Sequence, residues 1–474
     1  MKVTQVALCP TEASVANGRP SLTPELLAAS GARYSRNNEG LEAILAKIDP
    51  ENLDRSVDSI FRMIDYGHQS IADMAPVAMF IDGISIWLAY YVWTLCPMAG
   101  GQESSTRYIK LSIDGLIPPD ALGIPADQHA EWYERMENCF AAYQDALNIW
   151  EDIAAKHPDV ARIPRSLLSD PSDKASKQVA RMKRNYGFDR ARYFLPVAAA
   201  TNMMLVMSAR NWVQLCQYLF SHILPEARRL GDNIRAELQL ATPRLLNHAT
   251  EKPSFMQGLR WEFEQLQQHS IGFQPPMLRS DAVEFEHPPT PKLDVMLPDN
   301  ISEDELATAL KFHDNRYAWV GQQLKRTAIR FQWEAVAFAE IRDLNRHRTG
   351  TKTCVLLPVG FYGALDQLQE GGNNGDVASL RLRKLGKIGA AETAYALDLL
   401  RSGIPEYVYS TVLGTQYAFE HLTTADKYVY EAELRTGAGA HFRYAQHLHD
   451  MLTLWYAKFP QTRRLVLEGS AETE

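Results

Sequence analysis

The sequence predicts a helix-rich α+β protein built in two halves. Three observations carry this expectation: helical periodicity with clear start and stop signals along most of the chain, a few short β-like runs such as Val77–Ile81 and Thr353–Leu357, and one proline-dense stretch between two helical segments. The 474 residues, 46% of them hydrophobic, suffice for a large core and exclude a disordered or disulfide-stapled miniature chain. In chain order, Thr23-Pro24 reads as an N-cap followed by proline at the first helical position. No charged residue lies between Asp82 and Glu103, yet Pro97 interrupts the run and no Lys/Arg cluster flanks it, so a buried core helix is expected rather than a membrane span. Prolines 243, 253, 275, 276, 288, 289, 291 and 298 then mark a linker or irregular wrap. Beyond it, Ser302 and Glu305 form a capping-box pattern, and QWEAVAFAEIRDLNRHR reads as helical to its end. GGNNGD at Gly371–Asp376 reads as a surface loop and the closing EGSAETE as a frayed tail.

The formal charge of −8, from 49 Lys+Arg against 57 Asp+Glu, argues against a dedicated nucleic-acid binder. It leaves room for a local basic pocket that takes a phosphorylated small molecule. Five cysteines without C-x-x-C spacing suggest neither a disulfide framework nor a metal site, and fit a reducing cytoplasm. The opening MKVTQVALCPTEAS carries one lysine and a short apolar run before a proline, too little for a secretory leader.

Weak internal similarity links the halves. ARYFLP (Ala191–Pro196) and RSGIP (Arg401–Pro405) each place an Arg four residues before a Pro, and each precedes a long helix, a small-residue turn and an Arg-bearing helix. Two clusters hold the chemistry. In the second half, Arg342, Arg346, His347 and Arg348 close a helical stretch. They fit either a solvated helix end whose cations complement the dipole, or an anion site in which guanidiniums flank an imidazole. In the first half, Glu103, Ser105 and Arg107 alternate before Tyr108. An extended backbone puts all three on one face, as a Glu-Arg edge or as a reader of sugar hydroxyl and phosphate. Upstream, His68, Ser70 and Asp73 follow a glycine.

These residues resemble the flavin-dependent thymidylate synthases, whose hallmark is R-H-R-x-x-S-x-N-E-x-S-x-R-Y. The hallmark is split here. The first half keeps its downstream part as Gln102, Glu103, Ser105, Arg107 and Tyr108, with Leu95, Cys96 and Pro97 where R-H-R belongs. The second half keeps Arg346-His347-Arg348-Thr349, with Thr353, Cys354, Leu356, Pro358 and Val359 downstream. Ala32-Arg33-Tyr34-Ser35 resembles the family's A-R-x-S, and Gly67-His68-Gln69-Ser70 with Asp73 its G-H-x-S-x-x-E. Arg192, with Arg401 as its second-half match, resembles A-R-x-x-L-P; Ser208-Ala209-Arg210 resembles N-x-R; Leu434-Arg435-Thr436 through Arg443 resembles the L-R-T helix.

The resemblance implies two tandem synthase-like domains, each with a small, mainly antiparallel sheet, over residues 1–245 and 301–474 with a proline-rich linker at 246–300. It implies FAD as cofactor, NADPH and methylenetetrahydrofolate as cosubstrates, and methylation of dUMP at C5, in a cytoplasmic homodimer acting as a pseudo-tetramer. By the same carry-over, His347, Arg348 and Arg435 are catalytic. Ser35, His68, Ser70, Asp73, Gln102, Arg210, Arg346, His347 and Arg348 hold the flavin, and Glu103, Ser105, Arg107, Tyr108, Arg192 and Arg435 hold the nucleotide. Asp343, where the family has Gln, puts a carboxylate beside an expected phosphate. That departure keeps another pyrimidine nucleotide, or a non-catalytic flavin- or nucleotide-binding homologue, open as alternatives.

Overall fold

Burial alternates along the strands with a period of two. In Ala328–Ala337, Ile329, Phe331 and Trp333 are buried while Arg330 and Glu334 face solvent. This corrects the helical expectation for QWEAVAFAEIRDLNRHR. Its first part is a strand, and the helix begins only at Phe338.

A computed structural model describes residues 1–35, 40–48, 52, 57–58, 69–105, 111–370, 377–437 and 440–469. His68, Arg107, Tyr108, the Gly371–Asp376 loop and the last five residues lie outside the described set. The chain forms two compact units, Met1–His129 with Ala198–Gln265, and Ala130–Val197 with Leu266–Glu474. These limits differ from a simple division at a linker. Helix His129–Lys156 buries Trp132, Cys139 and Trp150, and Trp132 Nε1 donates to Tyr409 O at 3.3 Å, both within the second unit. The proline-rich stretch is not irregular throughout: it carries helix Pro253–Ile271 and a strand.

The first unit holds a four-stranded antiparallel sheet of β1 (Lys2–Val6), β2 (Pro76–Ser85), β3 (Gly100–Glu103) and β4 (Ala200–Ser208), in the order β1-β2-β4-β3. The β2–β4 ladder runs from Pro76↔Ser208 to Ile81↔Met203, shifts at a bulge and resumes at Ile84↔Thr201. β2 passes directly into helix Ile86–Leu95. Ser85 caps it by accepting from Leu88 N at 3.0 Å, while buried Glu226 accepts from Ser85 N at 2.8 Å and Oγ at 2.7 Å. Seven of its ten residues are buried, which makes the uncharged segment a core helix; no described helix is long and apolar enough to cross a membrane.

The second unit repeats the plan with β5 (Lys292–Met296), β6 (Ala328–Ala337), β7 (Thr351–Phe361) and β8 (Thr415–Thr424), in the order β5-β6-β8-β7. Its central ladder runs from Ala328↔Thr424 to Trp333↔Phe419, shifts, and resumes at Val336↔Tyr417. β6 and β8 pass directly into helices Phe338–Asn345 and Ala425–Arg435, as β2 and β4 pass into Ile86–Leu95 and Ala209–Phe220.

The shared bulge makes the ladders a ruler for residue equivalence. Gly100↔Val206 corresponds to Thr351↔Leu422, so Gly101, Gln102 and Glu103 stand where Lys352, Thr353 and Cys354 stand. Counting on from β4 and β8 matches Leu205 with His421, Leu215 with Glu431 and Leu219 with Arg435. Counting back matches Arg192 with Val408, which corrects the pairing of Arg192 with Arg401. Arg401 instead closes helix Val377–Arg401, donating from Nε to Ser270 O at 3.1 Å and from Nη1 to Asp398 at 2.7 Å.

Candidate functional site

In the second unit, helix Phe338–Asn345 ends at Arg346 and turns through His347, Arg348 and Thr349 into β7. The turn depends on Gly350, whose φ of 68° is left-handed and where a Cβ would collide with Leu422 O. His347 is buried, and its Nε2 accepts from Arg435 Nε at 3.0 Å. Burial, and next the Arg435 charge, hold the imidazole well below its ordinary pKa, so it is neutral and carries its proton on Nδ1.

Beneath the turn lies a polar group that the sequence did not reveal. Lys352 Nζ donates to His347 O and, at 3.1 Å, to Thr349 O. His421 Nε2 lies 2.7 Å from Thr349 O. Burial, then Lys352, lowers the His421 pKa to about 3, so the ring is neutral and Nε2–H donates to that carbonyl. Burial brings Lys352 down to about 8 and pushes Glu431 up to about 7, with each charge opposing the other's shift. Tyr444 O–H donates to Glu431 Oε1 at 3.3 Å. Nothing in the sequence pattern flags His421 or Glu431 beyond a polar residue at an inward position.

Arg192 is also buried here, 3.2 Å from both Glu340 Oε1 and Asp343 Oδ2. Tyr193 O–H donates to the same Glu340 oxygen at 2.8 Å. Burial pushes the Glu340 carboxyl up to about 7. For Asp343, burial acts upward, but Arg192 and then Arg346, at 3.7 Å, hold the carboxyl well below the usual range. Asp343 is therefore a compensated anion, and Arg192 faces carboxylates of its own unit. Arg348 is exposed.

In the first unit, helices Pro24–Tyr34 and Ala209–Phe220 both pack on the 3₁₀ turn Gln69–Met74. Asp73 on that turn accepts from Ser208 Oγ at 3.3 Å and from Arg210 Nη1 at 2.8 Å, joining residues far apart in sequence. Ser208 also caps the Arg210 helix through Asn211 N at 3.3 Å. Ser70 is exposed on the turn, and Ser35, exposed at the end of its helix, donates to Ala32 O at 2.9 Å. On β3, Gln102 is exposed and Glu103 half-buried, paired with Met204 and Met203. Half-buried Ser105 follows Ser104, whose amide donates to Asn202 O at 2.8 Å. Among the described predicted residues, Asp73 and Arg210 meet in the first unit, and His347 and Arg435 meet in the second.

The buried thiols are poor nucleophiles: burial pushes Cys96 and Cys216 up to about 12. Among the described residues, no group of three or more His, Cys, Asp and Glu side chains could hold a metal ion.

Residues 21–244 match the family described as thymidylate synthase complementing protein. A UPF0159 protein of Thermoplasma acidophilum is 25% identical over 235 residues, 46% of this chain and 47% of that protein. A UPF0159 protein of Chlamydia pneumoniae is 25% identical over 240 residues, 46% of this chain and 43% of that protein. The chain spans about half the length of the curated relatives it matches. Among solved structures, similarity extends to a UMP/dUMP methylase, PolB from Streptomyces cacaoi, bound with 5-Br dUMP. The TM-score is 0.31 at 15% identity, covering 52% of this chain and 93% of that one.

Proposed function

We propose that the chain, whose residues 21–244 match the thymidylate synthase complementing protein family, is a flavin-dependent thymidylate synthase that methylates dUMP at C5. The proposal includes FAD, NADPH and methylenetetrahydrofolate, a site that draws on both units, and a cytoplasmic homodimer. One observation carries it: the two units share strand order and bulge, yet each keeps hallmark-type residues that the other replaces. Counting back from β3 and β7, Arg346 and His347 in the second unit stand opposite Leu95 and Cys96 in the first; counting on from β8 and β4, Arg435 stands opposite Leu219 and Asp426 opposite Arg210. A half-site from each unit leaves one full set of ligand-binding groups per chain.

The donor set fits a flavin dinucleotide. Arg210, Arg346 and Arg348 supply cationic donors for a pyrophosphate, and Ser35 and Ser70 supply hydroxyls. Gln102, Asp73 and His68 complete the flavin contacts by carry-over. His347, held neutral by burial and by Arg435, offers an uncharged ring at the cofactor. Glu103, Ser105, Arg107, Tyr108, Arg192 and Arg435 orient the nucleotide. Bound FAD, reduced by NADPH, supplies the hydride that completes the methyl group from the methylene carbon of methylenetetrahydrofolate. The chain's own work is binding, orientation and exclusion of water.

One observation favours a second reading, a flavin enzyme for another pyrimidine nucleotide: Arg192 is engaged by Glu340 and Asp343 instead of standing ready for a phosphate. Both readings expect a purified protein that takes up FAD and turns yellow. NADPH oxidation stimulated by dUMP supports the first, and stimulation by UMP or uridine alone supports the second. Failure to take up FAD sinks both.

A further inference from the structure

The buried polar group under the Arg346-His347-Arg348 turn has no part in the family hallmark and is not needed to build the fold. The ladder places Gly101, Leu205 and Leu215 of the first unit where Lys352, His421 and Glu431 stand in the second, and the first unit forms the same sheet and following helix without them. Half-burying the Lys352 ammonium and burying the Glu431 carboxylate costs free energy that Gly and Leu avoid. Their retention beside a second-unit half-site therefore calls for a local purpose.

The contacts state that purpose. Lys352 Nζ donates to the carbonyls of His347 and Thr349, and His421 Nε2–H donates to Thr349 O at 2.7 Å. Three hydrogen bonds from two donor groups converge on the two carbonyls that bracket Arg348. Glu431 supplies the counter-charge, steadied by Tyr444 O–H at 3.3 Å. We infer that Lys352, His421 and Glu431 form a buried clamp that fixes the Arg346-His347-Arg348 turn, with Lys352 a positioning residue for the flavin-binding side chains. Lys352 acts by holding the backbone from which His347 and Arg348 project. This inference rests on the proposed function only for what the turn holds.

The test uses the full chain as Lys352→Met, Lys352→Arg and Lys352→Met/Glu431→Gln, the last removing both charges so that no buried carboxylate loses its partner. Hydrogen exchange of the His347–Thr349 amides is read without cofactor, and FAD affinity is read by titration. In both Met variants, amide exchange accelerates and the FAD Kd rises, each by about tenfold, the loss expected for a charged hydrogen bond. The melting temperature of the double variant stays near wild type, and Lys352→Arg recovers part of the FAD affinity. Unchanged exchange at the turn in the double variant overturns the clamp. A wild-type protein that takes up no FAD defeats the functional proposal instead, while the exchange result still decides the clamp.

Discussion

Arg435 Nε donates to Nε2 of His347 at 3.0 Å, and this bond joins the end of helix Ala425–Arg435 to the turn after helix Phe338–Asn345 and sets the imidazole's proton on Nδ1. A cation that donates to a buried imidazole opposes a second charge there. Burial is the larger cause of the depressed His347 pKa and Arg435 the next. Replacing Arg435 by Met removes the second cause, so the His347 ring pKa rises toward 6.5. An NMR titration of the ring checks this; an unmoved pKa shows that Arg435 does not act on His347.

Arg192 and Asp343 form the second test. Arg192 is buried between Glu340 and Asp343, so removing one partner leaves a buried charge under-compensated. Asp343→Asn is expected to cost about 3 kcal/mol in urea unfolding. A loss below about 1 kcal/mol would mean that the pair is as weak as an exposed one.

The pair Asp73–Arg210 predicts the opposite balance. Its side chains are 42% and 44% exposed, so Asp73→Asn changes stability by less than about 1 kcal/mol. If Asp73 aims Arg210 at a ligand, FAD affinity falls nonetheless. Thermal unfolding and FAD titration on the same preparation separate the two effects.

Buried histidines and carboxyls give a distinctive pH profile. Burial lowers His222 and His421 to about 3 and holds His347 and His447 well below their ordinary range. From pH 6.5 downward these rings take up protons in the unfolded chain first, so each destabilises the fold as pH falls. Burial raises Glu286, Glu340, Glu392 and Glu431 to about 7. Between pH 7 and 4.5 these carboxyls are protonated in the folded chain and not in the unfolded one, so each stabilises the fold as pH falls. The two slopes offset between about pH 6.5 and 4.5, and below that the histidine slope continues without the opposing carboxyl slope. Asp343, with its lowered pKa, adds a further loss below its unfolded pKa of 3.8. Stability measured by denaturant is therefore nearly level from pH 6.5 to 4.5 and drops steeply below; a steady decline from pH 6.5 contradicts the assigned protonation states.

Much of this was legible in the sequence where the signal is local. Thr23 caps its helix through Leu26 N at 3.3 Å, and Ser302 and Glu305 form their capping box, because caps are set by three or four neighbouring residues. Val77–Ile81 and Thr353–Leu357 lie in strands. The strand Ala328–Ala337 was hidden because Trp333, Ala335, Val336 and Ala337 read as one apolar run continuous with the next helix, and only the ladder shows where the period changes. Arg401 misled because an Arg-to-Pro spacing is a weak marker, whereas Tyr193 and Tyr409, matched by the ladders, preserve the true alignment. Lys352, His421 and Glu431 were invisible because they come from three elements and meet only in the folded unit.

If half-sites from two alike units serve one methylation reaction, residues of both units are needed for dTMP formation. The direct measurement is dTMP formation from dUMP with FAD, NADPH and methylenetetrahydrofolate, for wild type, Arg346→Ala and Arg210→Ala. Wild type is expected to form dTMP and either variant almost none, although the altered residues lie in different units. No dTMP from FAD-loaded wild type, or undiminished dTMP from either variant, contradicts it.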